Sequence, residues 1–374
     1  MPNVTACTHP VKKKLSPAPA RHAKVAPATR RPEAIERGFK GVVDLKRVTP
    51  LANRHCPAYK GSRTPHRIDT GSMPNGSRIV VGLGELLWDL FPSGKQLGGA
   101  PANFAYITNQ LGDTGIPASC VGRDALGDEV LQQLSLRGLV TNSVQQDPVH
   151  PTGTVEVEVD ARGQPRYNIS ESVAWDFLEW TAAWQQLAGT TDALCFGSLA
   201  QRSPQSRKTI RSFLRALRPE AIRIFDVNLR QNFYTTQVLA ESMQLANIVK
   251  LNHEELPIMM HLLELGHRDE EDSARRLLKA YDLKLLCVTR GSKGSLLMSG
   301  DDCNEHSGFK VKVADTVGAG DAFTAALVHG YLRQTSLAQI NEIANRVGAW
   351  VASQPGAMPA VKSGSLAATL AEIA

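Results

Sequence analysis

The sequence predicts an α/β protein: a doubly wound, mostly parallel sheet flanked by helices, with a small β-lid. Three observations carry this. From Arg78 onward, short apolar runs ending in glycine or polar residues alternate with stretches of helical spacing, the rhythm of strand–helix units in a parallel sheet. The rhythm breaks at about 152–172, where "TGTVEVEVDARGQPRYNISE" alternates apolar and polar residues around a glycine-containing turn, as an exposed hairpin does. Residues 1–72 show no such pattern.

In chain order, "RIVVGLG" is a β-branched strand ending in glycine, and "APANFAYITNQLG" has helical spacing with a terminal glycine. "ASCVG" reads as a strand and "DEVLQQLSLRG" as a helix closed by Gly138. After the hairpin, "DALCFGSL", "AIRIFDVNLR", "ANIVKLN" and "LKLLCVTRG" are four apolar strands with helical stretches between them. "VKVADTVGAGDAFTAALVHGYL" reads as strand, loop and helix. In open parallel sheets ligands bind at the carboxyl ends of strands. The polar residues of "DVNLR", "KLNHEE", "TRGSKG" and "DTVGAGD" are therefore expected in one cleft.

The 374-residue chain has a formal net charge of +6. Residues 1–72 hold 15 Lys and Arg against 4 Asp and Glu, leaving 27 against 32 for 73–374. The basic character belongs to the leading segment and the body is mildly acidic, which argues against a nucleic-acid surface. "KKKLSPAPARHAKVAPATRRP" has no acid before Glu33, and 1–72 is read as a disordered basic Pro/Ala-rich extension to a catalytic domain at 73–374. Two alternatives for it are an organelle transit peptide and a stretch upstream of a true start at Met73. A chain beginning at Met73 is expected to fold and function. With no run of 18 apolar residues and no signal-peptide core, a cytoplasmic location without membrane insertion is expected. The six cysteines form no C-x-x-C and read as reduced, buried thiols.

"DTVGAGD" carries the chemistry. Placed at a helix N-terminus, Gly318, Ala319 and Gly320 offer free backbone N–H groups and the positive end of the dipole to an anion. Asp321, one residue inside, is placed to accept a proton from an attacking alcohol. Phosphoryl transfer needs alignment, charge neutralisation and a base near the nucleophile, and this stretch offers all three in part. The alternative is a plain helix-capping sequence. Competing motifs fail: "GLGELL" lacks the third glycine of a dinucleotide fingerprint, no Walker A sequence occurs, and "HEELPIMMH" has Pro257 where a zinc-binding helix needs its second histidine.

"DTVGAGDAF" resembles the C-terminal signature of the ribokinase-like (PfkB-type) carbohydrate kinases. "QLGGAPANFAYITNQLG" resembles their N-terminal signature and "GRDALGDEV" the segment that follows, with order and spacing similar over about 78–362. The resemblance implies a central sheet with helices on both sides, a β-lid over a sugar, and ATP with Mg²⁺. It makes Asp321 the general base and the amides of Gly318, Ala319 and Gly320 an anion hole. Asn252 and Glu255 match an N-x-x-E motif tied to magnesium, through water, and to phosphate placement; a capped helix start is the alternative. Thr289, Gly291 and Gly294 resemble the nucleotide-side loop, and Asn345 falls where the adenine pocket is often lined, unless it is a solvated helix residue. Asp315, Val317 and Gly356 match a region holding a monovalent cation, with K⁺ as candidate, although Ala360 stands where a polar residue is usual. A homodimer through the lid is implied by analogy.

On the sugar side, Asp89 resembles a strand-end acid accepting two hydroxyls. Gly98 and Gly99 allow close backbone approach, Asn103 adds a hydrogen bond, and Asn228 and Arg230 stand at a strand end, Arg230 as a phosphate ligand or a structural ion pair. Tyr167 and Trp175 are candidates to stack on substrate or to pack the lid. "GGAPAN" and "DVNLR" resemble the fructokinase branch, which implies phosphorylation of fructose to fructose 6-phosphate. Another sugar or sugar acid, of ribose or 2-keto-3-deoxygluconate type, and a catalytically silent regulatory member are the alternatives. A nicotinamide oxidoreductase is disfavoured by the missing glycine.

Overall fold

The computed structural model of the chain describes residues 76–92, 94–159, 165–266, 268–361 and 366–370. The extension read at 1–72 lies outside the described residues. In chain order the elements are β1 (Ile79–Leu83), β2 (Leu87–Phe91), β3 (Gly94–Gly98), α1 (Ala100–Gln110), β4 (Thr114–Gly122), α2 (Ala125–Leu136), β5 (Val144–Asp147), β6 (Gly153–Val159) and β7 (Pro165–Ile169). There follow α3 (Ala182–Thr190), β8 (Ala193–Phe196), α4 (Pro204–Ala216), β9 (Ile222–Asp226), α5 (Thr236–Leu245), β10 (Ile248–Asn252), α6 (Glu255–Leu262) and α7 (Glu270–Ala280). The chain closes with β11 (Leu285–Thr289), β12 (Ser295–Ser299), β13 (Asp302–His306), α8 (Ala319–Leu332), α9 (Leu337–Ala352) and α10 (Leu366–Leu370).

The large sheet has nine strands in the order β13-β12-β11-β10-β9-β8-β1-β4-β5. Its pairs are parallel from β5 to β11, and β12 and β13 add an antiparallel edge. Strand β1 shows why helices cover both faces: Val80 and Val81 are both fully buried, one in each of two separate apolar clusters. One cluster takes α3, α4, α5, α6 and α7; the other takes α1, α2, α8 and α9. This is the doubly wound architecture that the alternating pattern predicts.

From β1 the chain moves outward through β4 and β5, then returns to the other side of β1 at β8 and proceeds to β13. The order therefore switches between β1 and β8. A crevice opens there at the carboxyl ends of the strands, because the flanking crossovers leave in opposite directions.

The hairpin at 152–172 forms as β6 and β7, paired antiparallel. It is half of a separate four-stranded sheet, β3-β2-β6-β7. The other half is a departure from the sequence reading. Leu87 and Trp88 of β2 are both buried, in opposite apolar clusters, so that stretch lacks the period-two signal of a one-sided strand. Asp89 consequently sits in the middle of a lid strand, opposite Gln96 and Val155, and not at a strand end.

A second departure concerns "VKVAD". No strand forms there; Val313 is 56% exposed, and the N–H groups of Ala314 and Asp315 donate instead to the carbonyl of Ala352, at 2.9 and 3.2 Å. The antiparallel β12–β13 hairpin supplies that edge of the sheet instead. The thiols of Cys120, Cys195 and Cys287 are free and buried as expected, but Cys303 is disulfide-bonded. Among the described residues no helix is long and apolar enough to cross a membrane.

Candidate active site at the switch of the sheet

Two helix N-termini meet over the carboxyl ends of β1 and β8. Helix α1 starts at Gly99, whose φ of 114° needs glycine and whose close approach to Glu85 leaves no room for a Cβ. Helix α8 starts at Gly318 in the left-handed region, φ 76°. A Cβ on Gly318 would fall 2.8 Å from the Ala357 Cα, so this turn is packed directly on the 354–358 loop. No side chain caps α8. Its leading N–H groups thus face outward, except that of Ala319, which reaches the Thr316 carbonyl at 3.3 Å. The structure brings Gly318, Ala319, Gly320 and Asp321 together as the sequence predicts.

Asp321 is held from α1. The Asn103 side-chain amide donates to its carboxylate at 2.8 Å; an ionised carboxylate only accepts, which fixes the amide's orientation. Asn103 was expected to bind sugar with this group. One of its two N–H donors goes to Asp321, and its Oδ1 is buried without a partner among the described residues. Burial pushes the Asp321 carboxyl up to about 6; nearby Asp226 adds to the rise, while Asn103, Lys250 and Arg230 restrain it. A base ionised at neutral pH but close to its midpoint suits proton abstraction.

Beneath the glycine step lies a pair that sequence reasoning missed. Lys250 and Asp226, register partners on β10 and β9, form a buried ion pair with Nζ–Oδ distances of 3.0 and 3.1 Å. Thr324 on α8 donates to Asp226 at 2.9 Å. A Cβ on Gly320 would lie 3.1 Å from the ammonium, which places the charge directly behind the helix terminus. Burial acts to lower the Lys250 pKa, but Asp226, Glu255 and Asp321 outweigh it and keep the group charged. The signal was present: a lysine inside the apolar "IVKLN" and an acid closing "IRIFD", on neighbouring strands.

Arg230 is exposed in the loop after β9 and faces three acids, acting on Glu85, Asp89 and Asp321 alike. Among the described residues it forms no ion pair, and its guanidinium donates to the Leu229 carbonyl. Asn228, at φ 42°, shapes this loop. From the lid, Asp89 comes within range of Arg230 and Asp315, and burial raises its carboxyl to about 6. Gly98 provides the space its carboxylate occupies, since a Cβ there would collide with Asp89 Oδ2. Glu85, just past β1, is 5% exposed and unforeseen; burial raises it to about 7.

The nucleotide-side expectations fare unevenly. Asn252 accepts from the N–H groups of Glu254 and Glu255 at 2.9 and 2.8 Å. Glu255 returns both oxygens to backbone, accepting from Leu229 and Asn252 at 2.8 Å each. This is the capped helix start that stood as the alternative, and it pins the Arg230 loop to β10. Each Glu255 oxygen accepts one backbone bond and keeps a second lone pair for a metal-bound water. Among the described residues no cluster of three or more acidic, His or Cys side chains is placed to hold a metal. Thr289 ends β11, and Gly291 and Gly294 adopt φ of 58° and 82° in the following turn. Asn345 is buried, not solvated: its amide donates to Ser295, at 2.8 Å, and to Asn341, tying α9 to β12. Its amide nitrogen is thus committed to packing.

Asp315 accepts from the N–H groups of Val317 and Gly356, at 3.0 and 3.2 Å, which unites the three residues expected around a monovalent cation. Trp175 is fully buried under the Arg202 guanidinium, 4.0 Å from its ring centre, and so cannot stack on a ligand. Tyr167 stands on β7 opposite Val157; its side chain lies outside the described residues.

Comparison with known proteins agrees with this geometry. Residues 93–363 match the pfkB family carbohydrate kinase pattern. Fructokinase of Escherichia coli is 31% identical over 300 residues, covering 75% of this chain and 94% of that protein. A crystal structure of a Pyrococcus horikoshii sugar kinase in complex with ATP superposes with a TM-score of 0.65 at 27% identity, covering 75% of this chain and 94% of that one. Fructokinase of Vibrio cholerae, with fructose, ADP and calcium ion bound, gives 0.67 at 26% identity, covering 79% and 98%.

Proposed function

This chain belongs to the pfkB family of carbohydrate kinases, and from that premise we propose that it transfers the terminal phosphoryl group of ATP to fructose, giving fructose 6-phosphate. The observation that carries a kinase reading is Asp321, held by Asn103 at 2.8 Å at an uncapped helix N-terminus. The Asp321 carboxylate takes the proton of the attacking hydroxyl. The leading amides of α8, with Lys250 behind them, receive the negative charge of the transferring group, and Arg230 closes over it from the β9 side. Asp89, brought down by the lid, accepts sugar hydroxyls.

Fructose as the sugar is supported by the likeness to fructokinases and by "GGAPAN" and "DVNLR". When bound, Mg²⁺ would supply charge neutralisation on the phosphate oxygens, with Glu255, whose two oxygens also accept backbone N–H groups, holding it through water. The Asp315 turn is the proposed K⁺ site. The lid leaves β3 and β7 as sheet edges, and pairing of two lids in a homodimer is the proposed assembly, testable by light scattering. An ATP-consumption assay over a panel of ketohexoses, aldoses and sugar acids tests the central reading. Turnover with fructose at least tenfold above the others is expected, and preference for another substrate overturns the choice of sugar.

A further inference from the structure

Glu85 has no part in the chemistry so far, yet it is the most deeply buried acid facing Asp321. It follows β1 directly, at the switch of the sheet. A cavity of about 20 Å³ lies at this point, bounded by Glu85, Asp321, Asp226 and Asn228, with Phe104 and Phe196 as apolar walls. That is room for one water, for which roughly 10–15 Å³ suffices, and the polar lining offers the two to four partners a buried water needs. Phe104 and Phe196 narrow its opening to solvent.

A general base in a closed site has a further task. Once Asp321 has taken the hydroxyl proton it is neutral, and it must pass the proton on before the next turnover. Arg230 and Lys250, both cationic, cannot accept it. Two other acids line the cavity; Asp226 is engaged by Lys250 and Thr324, which leaves Glu85 as the acceptor.

We propose that Glu85 is the proton-accepting partner of Asp321, acting through a single water held in the cavity between them. The hydroxyl O–H bond breaks as its proton passes to Asp321; Asp321 then gives a proton to the water, which gives one of its own to the Glu85 carboxylate. Glu85 releases it to solvent when the site opens. The net products are sugar phosphate, ADP and one proton, with no other reactant. Glu85 acts through Asp321 and the water and does not touch the sugar.

The electrostatics fit this transfer. Burial raises Glu85 to about 7 and Asp321 to about 6, so both carboxyls can hold a proton near neutral pH and exchange it. The groups facing Glu85 are Asp321 on α8 and Arg230 after β9, with its own N–H and that of Ala100 favouring the ionised form. Asp226 stands across the cavity beside Lys250, and Cys195 on β8 is close enough to feel Glu85. A role limited to capping α1 through Ala100 is the alternative.

This inference rests on the kinase reading, and one set of measurements separates the two. The wild type and Glu85→Gln are compared with ATP and fructose, from pH 5 to 9, in steady state and single turnover. Glutamine keeps the acceptor for Ala100 and removes the proton site. We expect plateau kcat to fall about tenfold with the sugar KM within twofold, and the acid limb to move to lower pH because Asp321 loses a like-charged neighbour. A wild-type proton inventory in H₂O–D₂O mixtures is expected to bow, as for more than one moving proton, and to be linear in Glu85→Gln. An unchanged kcat and pH limb in Glu85→Gln, with the wild type active, overturns the relay and leaves the kinase reading intact. A shifted limb without loss of kcat also overturns it, since that is charge alone. If Glu85→Gln fails to fold, a linear wild-type inventory by itself overturns the relay. An inactive wild type on every sugar overturns both.

Discussion

Replacing Lys250 with methionine tests whether the buried pair supports the site from below. The side chains of Lys250 and Asp226 are 10% and 8% exposed. Removing the ammonium leaves the Asp226 carboxylate buried with the Thr324 hydroxyl as its remaining side-chain partner among the described residues. Breaking a buried pair by deleting one member costs about 3–5 kcal/mol, whereas replacing both members by neutral groups costs far less. Lys250→Met is therefore expected to lose about 3–5 kcal/mol in urea denaturation at pH 7.5. The double variant Asp226→Asn, Lys250→Met is expected to recover at least about 2 kcal/mol of that, the size of coupling seen between residues in contact. Because Lys250 also restrains the Asp321 pKa, the acid limb of activity should move to higher pH in the single variant but not in the double, where loss of Asp226, the stronger raising charge, offsets it. A loss under about 1 kcal/mol in the single variant, or strict additivity in the double, would refute this account of the pair.

Asp321→Asn should lower kcat by about 10²–10⁴-fold with little change in the sugar KM, while Asp89→Asn should raise KM first; steady-state kinetics with thermal melts as folding controls compares them. Gly318→Ala forces a left-handed alanine at about 1–2 kcal/mol and drives a methyl group into Ala357, so a lower melting temperature and a kcat loss on the order of 10²-fold are expected from the displaced helix start. Stability and activity should respond to pH in opposite senses. Burial raises Glu85, Asp89 and Asp321, so the folded chain binds protons that the unfolded chain releases, and the melting temperature should rise as pH falls from about 7 toward 5 while activity drops through about 6. Below about pH 4 the trend reverses, because Asp113 and Glu342 are both held at about 2: Asp113, despite its burial, by His329 and Arg333, and Glu342 chiefly by His306. Finally, potassium should raise the rate over sodium at fixed ionic strength; equal rates remove the cation role proposed for Asp315.

What could be read from the sequence was what depends on neighbours in the chain. Apolar runs of four to six residues punctuated by glycine define strands and helices locally, and their alternation fixes the doubly wound class. The "GAGD" step is legible for the same reason: glycines, helix start and acid lie within four consecutive residues, so any fold that starts a helix at Gly318 must place Asp321 beside its N–H groups. Asn252 and Glu255 were legible as a pattern, but one pattern served two readings, and the contact of Glu255 with Leu229 weighed toward capping. Beyond such spans the sequence was silent or misleading. Asp89 sat in a stretch buried on both faces, with no periodicity to mark it as lid. Trp175 near the hairpin turned out to be core, and Asn345 turned out to bridge α9 to β12.

The parts decided only by tertiary structure share a physical cause. Asn103 and Asp321 are 218 positions apart, Asp226 and Lys250 stand on different strands, and Glu85 meets Asp321 only where the strand order reverses at β1. The energies of these contacts depend on exclusion of water, which no local pattern encodes. A lysine in an apolar strand is an anomaly until the opposing carboxylate is found, and an acid after a strand is ordinary until burial raises its pKa. Local composition determined which backbone amides and which base were available in this chain; packing determined the charges around them, and so the pH at which that base can act.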